Sequence, residues 1–267
     1  MRLTAITLFA VKSLRGRPCE SVAVEPWGLA GDRRYLVVDP RGRFLTQREC
    51  PALATLDAHP LHGGLLLGGC GRPDLRVKGP GPAAERVAVT VWRDTVTALA
   101  AGREADRWLE AALGRPCRLV YMDLPAEARP VNPAFARPED RVSFADGFPV
   151  LLTSTASLAD LNARLAEPVG MERFRANLVV DGDAPWAEDG WRDLRIGPVL
   201  FEAVAPCARC IVITADQRTG TRHPGSEPIR TLQKFRRDAQ GQVIFGRNLT
   251  PRSGGCVTVG DPVEVLA

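Results

Sequence analysis

Histidine is scarce in this chain. Only His59, His62 and His223 occur in 267 residues, and none sits in a context that marks a general base. Long apolar runs are missing too. None approaches the length needed to cross a bilayer, so no membrane span is expected. Residues 1–20 hold one short apolar run and a late lysine, so no secretory signal is expected there. The seven cysteines are an odd, scattered set at positions 19, 50, 70, 117, 207, 210 and 256. That distribution excludes a disulfide framework and points to a reducing, cytoplasmic setting. No internal repeat is visible. Neither sign of charge dominates: 35 Lys and Arg face 31 Asp and Glu, a net charge of +4. Such a balance suits small anionic ligands and gives no argument for nucleic acid.

What is present is mostly strand signal. Leu3 to Val11 is apolar and partly β-branched. Tyr35–Val38 and Phe44–Thr46 flank Asp39-Pro-Arg-Gly42, which predicts a hairpin. Val87, Val89 and Val91 alternate with smaller or polar residues, the period of a half-buried strand. Strands are also expected at residues 210–215, 257–259 and 263–266, with Gly260-Asp-Pro262 turning the last two against each other. His62 to Gly71 is rich in Gly and Leu and predicts a hairpin tip. Helices are few. Ala105, Trp108, Leu109, Ala112 and Leu113 share one helical face, stopped by Gly114 and Pro116. A second helix is expected to begin at Ser157 with Asp160 in a capping box. A third is expected from Pro228 to Arg237. Strands and helices do not alternate, which excludes a doubly wound parallel sheet. The prolines between Asp123 and Asp140 resist helix and sheet and predict a linker or mobile loop.

The chemistry concentrates at Cys207-Ala208-Arg209-Cys210. A thiolate suits soft or redox-active metals and sulfur chemistry. An adjacent Arg favours the ionised thiol and can hold an anionic group. Two other uses of the pair are open. A structural zinc half-site would need a second pair with suitable spacing, and none exists. A thioredoxin-like redox pair would need to open a helix, whereas a β-type run is expected here. Cys207 reads as a packed thiol beside the functional one.

Further features stand in order: Phe144-Ala-Asp-Gly147-Phe148-Pro149, Arg173-Phe174-Arg175-Ala-Asn177, Trp186 to Trp191, the thiol pair with Asp216 and Thr219-Gly220, then Phe245-Gly246-Arg247-Asn248 and Val259-Gly260-Asp261. With Val11-Lys12-Ser13-Leu14-Arg15-Gly16 and Gly31-Asp32-Arg33-Arg34-Tyr35, this series resembles the MOSC family, named for the C-terminal domain of molybdenum cofactor sulfurases. It resembles in particular the branch of the amidoxime-reducing component and its bacterial relatives.

That resemblance implies a mainly β, α+β fold: a β-rich N-terminal region over 1–120, and a MOSC β-barrel domain over 121–267 against which residues 1–34 pack. It implies a molybdenum–molybdopterin cofactor, with Cys210 as metal ligand and catalytic centre. Lys12, Ser13, Arg34, Gly147, Phe148, Arg175, Asn177, Ala208, Arg209 and Asn248 match cofactor contacts. The implied activity is reduction of N-hydroxylated compounds, such as hydroxylamines or amidoximes. The electrons would come from a separate partner (a ferredoxin, a flavoprotein or a cytochrome b5-like protein), because no four-cysteine cluster domain is seen after the barrel. The same motif also serves a sulfur carrier that accepts sulfane sulfur from a pyridoxal-phosphate desulfurase. The physical reading agrees with a cofactor cradle: a buried phosphate needs paired cations, and Arg matches it with a bidentate fork.

Overall fold

The computed structural model describes residues 1–127, 129–182 and 184–267. Strands dominate. The largest sheet has eight, in the order Arg17–Cys19, Leu3–Leu8, Leu178–Val180, Val150–Ser154, Ile244–Pro251, Val199–Ala208, Asp193–Ile196, Val263–Val265. Every pairing in it is antiparallel except that of Val150–Ser154 with Leu178–Val180. A parallel pair needs a crossover, and the helix Thr155–Asn162 lies within it. Leu3, Ile6, Leu152, Leu178, Leu194, Phe201 and Leu249 form the core of this sheet. The first strand of the chain is therefore built into a sheet drawn mainly from its second half. Gly255–Thr258 reciprocates by pairing with Ser21–Glu25.

The remaining first half forms two small sheets. Tyr35–Val38, Arg118–Tyr121, Asp94–Ala100 and Arg86–Val91 make one. There Val89 and Val91 are buried while Thr90 faces out, as the period-two pattern requires. Leu56–Leu61, Gly64–Gly69 and Leu75–Lys78 make the other. The helix Arg103–Leu113 closes this half by burying Ala105 and Leu109, and it ends at Gly114 in left-handed backbone (φ 65°). No helix among the described residues is long and apolar enough to cross a membrane.

Several local expectations fail for identifiable reasons. Residues 211–214 form a 3₁₀ turn instead of a strand. Ile213 thereby packs with Leu161, Phe174, Leu232 and Phe245, while Cys210 and Val212 face a cavity. The last two strands do not pair with each other: the 260–262 turn sends Val263–Val265 onto Asp193–Ile196. Residues 64–69 are a central strand, and the hairpin turn is confined to residues 62–63. The helix expected at Ser157 starts at Thr155, because the Ser154 hydroxyl accepts from the Ala156 amide; Asp160 instead pairs with Arg164. The third helix is only Ile229–Leu232. Backbone bonds from Ile244 to Arg236 and from Asp238 to Gln242 draw the chain into a hairpin. The proline-rich 123–140 segment includes Ala128, outside the described residues. Its neighbour Arg129 is buried and donates to Asp94, Ser143 and Ala145, so the segment is fastened to the body.

Candidate functional site

A cavity of about 680 Å³ opens where the large sheet meets the loops of the first half. One wall is the end of Val199–Ala208 and the 3₁₀ turn after it, which present Cys207, Ala208, Arg209 and Cys210. A second wall comes from Arg175 and Asn177, just before Leu178–Val180. The loop after Leu3–Leu8 supplies Lys12 and Ser13, and the loop before Tyr35 supplies Arg33. Gly147, Phe148 and Asn248 complete the set. Of the residues expected from the sequence, only Arg34 lies elsewhere.

Arg33 takes that place. It adopts left-handed backbone (φ 49°), and successive side chains then diverge. Its guanidinium lies 4.5 Å from the Phe9 ring centre and donates to Asp32 (2.5 Å) and to Asn177 Oδ1 (2.9 Å). Arg34 instead donates to the Met122 carbonyl (2.5 Å) and the Tyr121 hydroxyl (3.3 Å). Ser13 (φ 71°) and Arg175 (φ 56°) are left-handed as well. Such backbone is uncommon for non-glycine residues and gathers at functional sites.

Several contacts pre-set the cradle. Arg175 is stacked 4.3 Å over Phe9 and donates to the Leu14 carbonyl (2.7 Å) and Gln217 Oε1 (3.3 Å). Asn177 is 1% exposed. Its Oδ1 accepts from Arg33 and the Leu151 amide, and its Nδ2 donates to the Thr7 carbonyl. Asn177 thus ties three segments together, and its oxygen is already engaged. Asn248 Nδ2 donates to the Pro206 carbonyl at 3.1 Å. Arg209 donates to Cys207 Sγ (2.9 Å) and the Phe174 carbonyl (2.6 Å), while its buried Nε has no partner among the described residues, as is true of the Arg236 and Arg247 Nε atoms elsewhere. Cys210 Sγ accepts from Arg48 Nη2 at 3.1 Å. His223 is not part of the lining; its Nδ1 accepts from the Gly225 and Glu227 amides.

The electrostatics are one-sided. Five cations line the cavity, Lys12, Arg33, Arg48, Arg175 and Arg209, against the carboxylates of Asp146 and Asp238. Burial pushes the Lys12 ammonium down to about 8, with Arg129 and Arg33 adding to the effect against the attraction of Asp146. Burial, then Arg33, pushes the Arg175 guanidinium down to about 9. The Asp146 side chain is 69% exposed at the cavity mouth, and Lys12 at 2.5 Å, with Arg48 and Arg33, holds its carboxyl well below the usual range. Cations destabilised by one another and by burial form a receptor short of anions. The cavity therefore fits a bulky, anionic, polar ligand, and the Cys210 thiol lies in its lining. No three His, Cys, Asp or Glu converge as a metal site among the described residues, which leaves a structural zinc without a ligand set. A metal brought by its own chelating ligand needs only one protein thiolate.

The lining also includes Arg33, Arg48 and Asp146, none of them among the residues expected from the sequence. Arg33 was one position from the residue chosen. Asp146 stood inside a quoted motif, between Ala145 and Gly147. No motif marked Arg48.

The family models divide the chain. The MOSC N-terminal beta barrel domain matches residues 1–116 and the MOSC domain matches residues 139–264. The human mitochondrial amidoxime-reducing component 1 is 32% identical over 97% of this chain and 81% of its own length. The mouse protein of that name is 31% identical over 97% and 80%. A molybdenum cofactor sulfurase from Solanum lycopersicum is 28% identical over 98% of this chain, which spans 35% of that longer protein.

Proposed function

The chain belongs to the MOSC family, and from that premise we propose that it is a molybdenum-cofactor oxidoreductase that reduces N-hydroxylated compounds. Its amidoxime-reducing relatives, at about 30% identity over nearly the whole chain, support a reductive role. The observation that carries the cofactor assignment is a cation-lined cavity that presents the Cys210 thiol, with Cys207 beside it. Lys12, Arg33, Arg175 and Arg209 would hold the phosphate and polar edge of molybdopterin, and Cys210 would ligate the metal. The bound cofactor would supply two-electron redox chemistry at the N–O bond.

The residues of the chain have narrower tasks. Arg48 donates to Cys210 Sγ and fixes the direction of the thiol at the cavity wall. Asn177 fixes the strand ends that carry the cradle. Ser13 contributes its carbonyl to Gln47 Nε2, which holds the loop closed. The left-handed backbone at Ser13, Arg33 and Arg175 is set before any ligand arrives, so little ordering is left for binding. Electrons would come from a separate ferredoxin, flavoprotein or cytochrome b5-like protein.

The test is an anaerobic assay of protein produced in a cofactor-competent host, with benzamidoxime as substrate and dithionite as reductant. Formation of the amidine is expected, with loss of that activity in Cys210→Ser. Equal rates in both proteins would place the chemistry elsewhere.

A further inference from the structure

Trp92 sits at the turn of the hairpin between Arg86–Val91 and Asp94–Ala100, in left-handed backbone (φ 57°), and is 45% exposed. One exposed indole means little by itself. Its neighbours give it direction. The Arg48 guanidinium lies 4.8 Å from the indole ring centre, and Nη2 of the same group donates to Cys210 Sγ at 3.1 Å. The indole Nε1 donates to Asp146 at 3.2 Å, and the Phe44 ring meets its face edge-on at 5.0 Å. An unbroken run of contacts, Trp92 to Arg48 to Cys210, thus joins open surface to the candidate metal ligand.

Two exposed arginines stand on this hairpin and on the turn bonded to it. Arg93 follows Trp92 and is exposed. Arg41 is exposed on the turn whose Gly42 carbonyl accepts from Thr90 of the same hairpin. Neither side chain has an ion-pair partner among the described residues. Asp94 is paired with Arg129, Glu49 with Arg43 and Asp146 with Lys12, while Asp39, on the turn of Arg41, accepts from the Arg41 and Arg43 amides. Trp and Arg at the centre of a patch are the residues that anchor protein interfaces.

We propose that this face is the docking site of the electron donor, a small acidic protein carrying a one-electron centre, and that electrons enter through Trp92 and Arg48 toward Cys210. The inference rests on the proposed function for the fate of those electrons. Each encounter oxidises the donor by one electron, which the bound cofactor would accept. Two such encounters, with two protons from water, match the conversion of an N–OH group to N–H and one molecule of water. Electron-transfer encounters bury little area and rely on charge for speed, which suits a small aromatic centre beside two exposed arginines.

The experiment uses an acidic [2Fe–2S] ferredoxin as probe. Its binding to the full-length protein is titrated at low and high salt. Amidoxime reduction by the cofactor-loaded protein is then driven by reduced ferredoxin or by dithionite. Arg41→Glu/Arg93→Glu should weaken ferredoxin binding and lower ferredoxin-driven kcat/KM by about tenfold or more, and leave the dithionite rate unchanged. Trp92→Ala should lower the ratio of the ferredoxin-driven to the dithionite-driven rate. Wild-type binding should weaken steeply with salt. Equal ferredoxin binding by wild type and the double variant, no binding by wild type, or a parallel fall of both rates would overturn the docking site. If wild type reduces the amidoxime with neither reductant, the proposed function fails, and the binding titration alone decides the docking face.

Discussion

Two neighbouring arginines enter two different cavities, and the contrast between those cavities identifies the one built for a ligand. Arg34 lines a smaller cavity of about 360 Å³ with Tyr35 and Tyr121. Its guanidinium lies 5.2 Å from the Tyr121 ring centre and holds the Met122 carbonyl. Its Nη1 lies 3.9 Å from Glu25, so it is a structural cation with a carbonyl, a hydroxyl and a carboxylate about it. Arg33 lines the larger cavity with four other cations, two of them, Lys12 and Arg175, pushed down by burial. Satisfied charge holds a fold together, whereas charge assembled without enough counter-charge waits for a partner.

That comparison can be broken in order of expected effect. The largest belongs to Cys210→Ser, which should reduce retained metal and amidoxime reduction to background, read by elemental analysis and turnover. Next, Arg175→Ala should weaken cofactor retention by roughly 2–5 kcal/mol, measured as pterin occupancy at limiting cofactor. Arg34→Ala should leave occupancy unchanged while lowering fold stability by about 1.5–3 kcal/mol, from the lost charged hydrogen bonds, seen in the denaturant midpoint. Equal loss of pterin in the two variants would erase the distinction between the cavities.

A smaller effect follows from Lys12. Its amine titrates at 10.5 when unperturbed and at about 8 in the fold. Burial therefore disfavours the ammonium, and this unfavourable contribution is full below about pH 8. It is relieved as pH rises toward 10.5, because the unfolded chain then binds more protons than the native one. Wild type should accordingly gain stability relative to Lys12→Met across that window. A constant difference between the two denaturant midpoints would mean that Lys12 is not desolvated. The smallest effect belongs to Cys207→Ser. Cys207 accepts from Arg209 at 2.9 Å, and its replacement should change turnover by less than about twofold, ~0.4 kcal/mol of barrier.

Much of the fold was legible because periodicity and turn chemistry are local. Val89 and Val91, the helix face of Ala105 and Leu109, and Gly114 as its stop read directly from the sequence. The run after Cys210 did not, because Ile-Val-Ile-Thr has strand propensity. Here tertiary packing decides: Ile213 reaches the Phe174 and Phe245 cluster only from a 3₁₀ turn. The same holds for the last two strands, whose partners lie at Ser21–Glu25 and Asp193–Ile196, far away in sequence. Within the site, motif order marked the thiol pair, Arg175 and Asn177. It could not choose between Arg33 and Arg34, because the choice depends on one backbone angle. Arg48 was invisible, since its role arises only from the approach of two distant loops.

The most direct test of the cofactor assignment is the molybdenum and pterin content of purified wild type and Cys210→Ser from a cofactor-competent host. One molybdenum and one pterin per chain are expected in the wild type, with molybdenum lost from the variant. A wild type that carries zinc and no pterin, or a variant that keeps its molybdenum, would contradict the central claim.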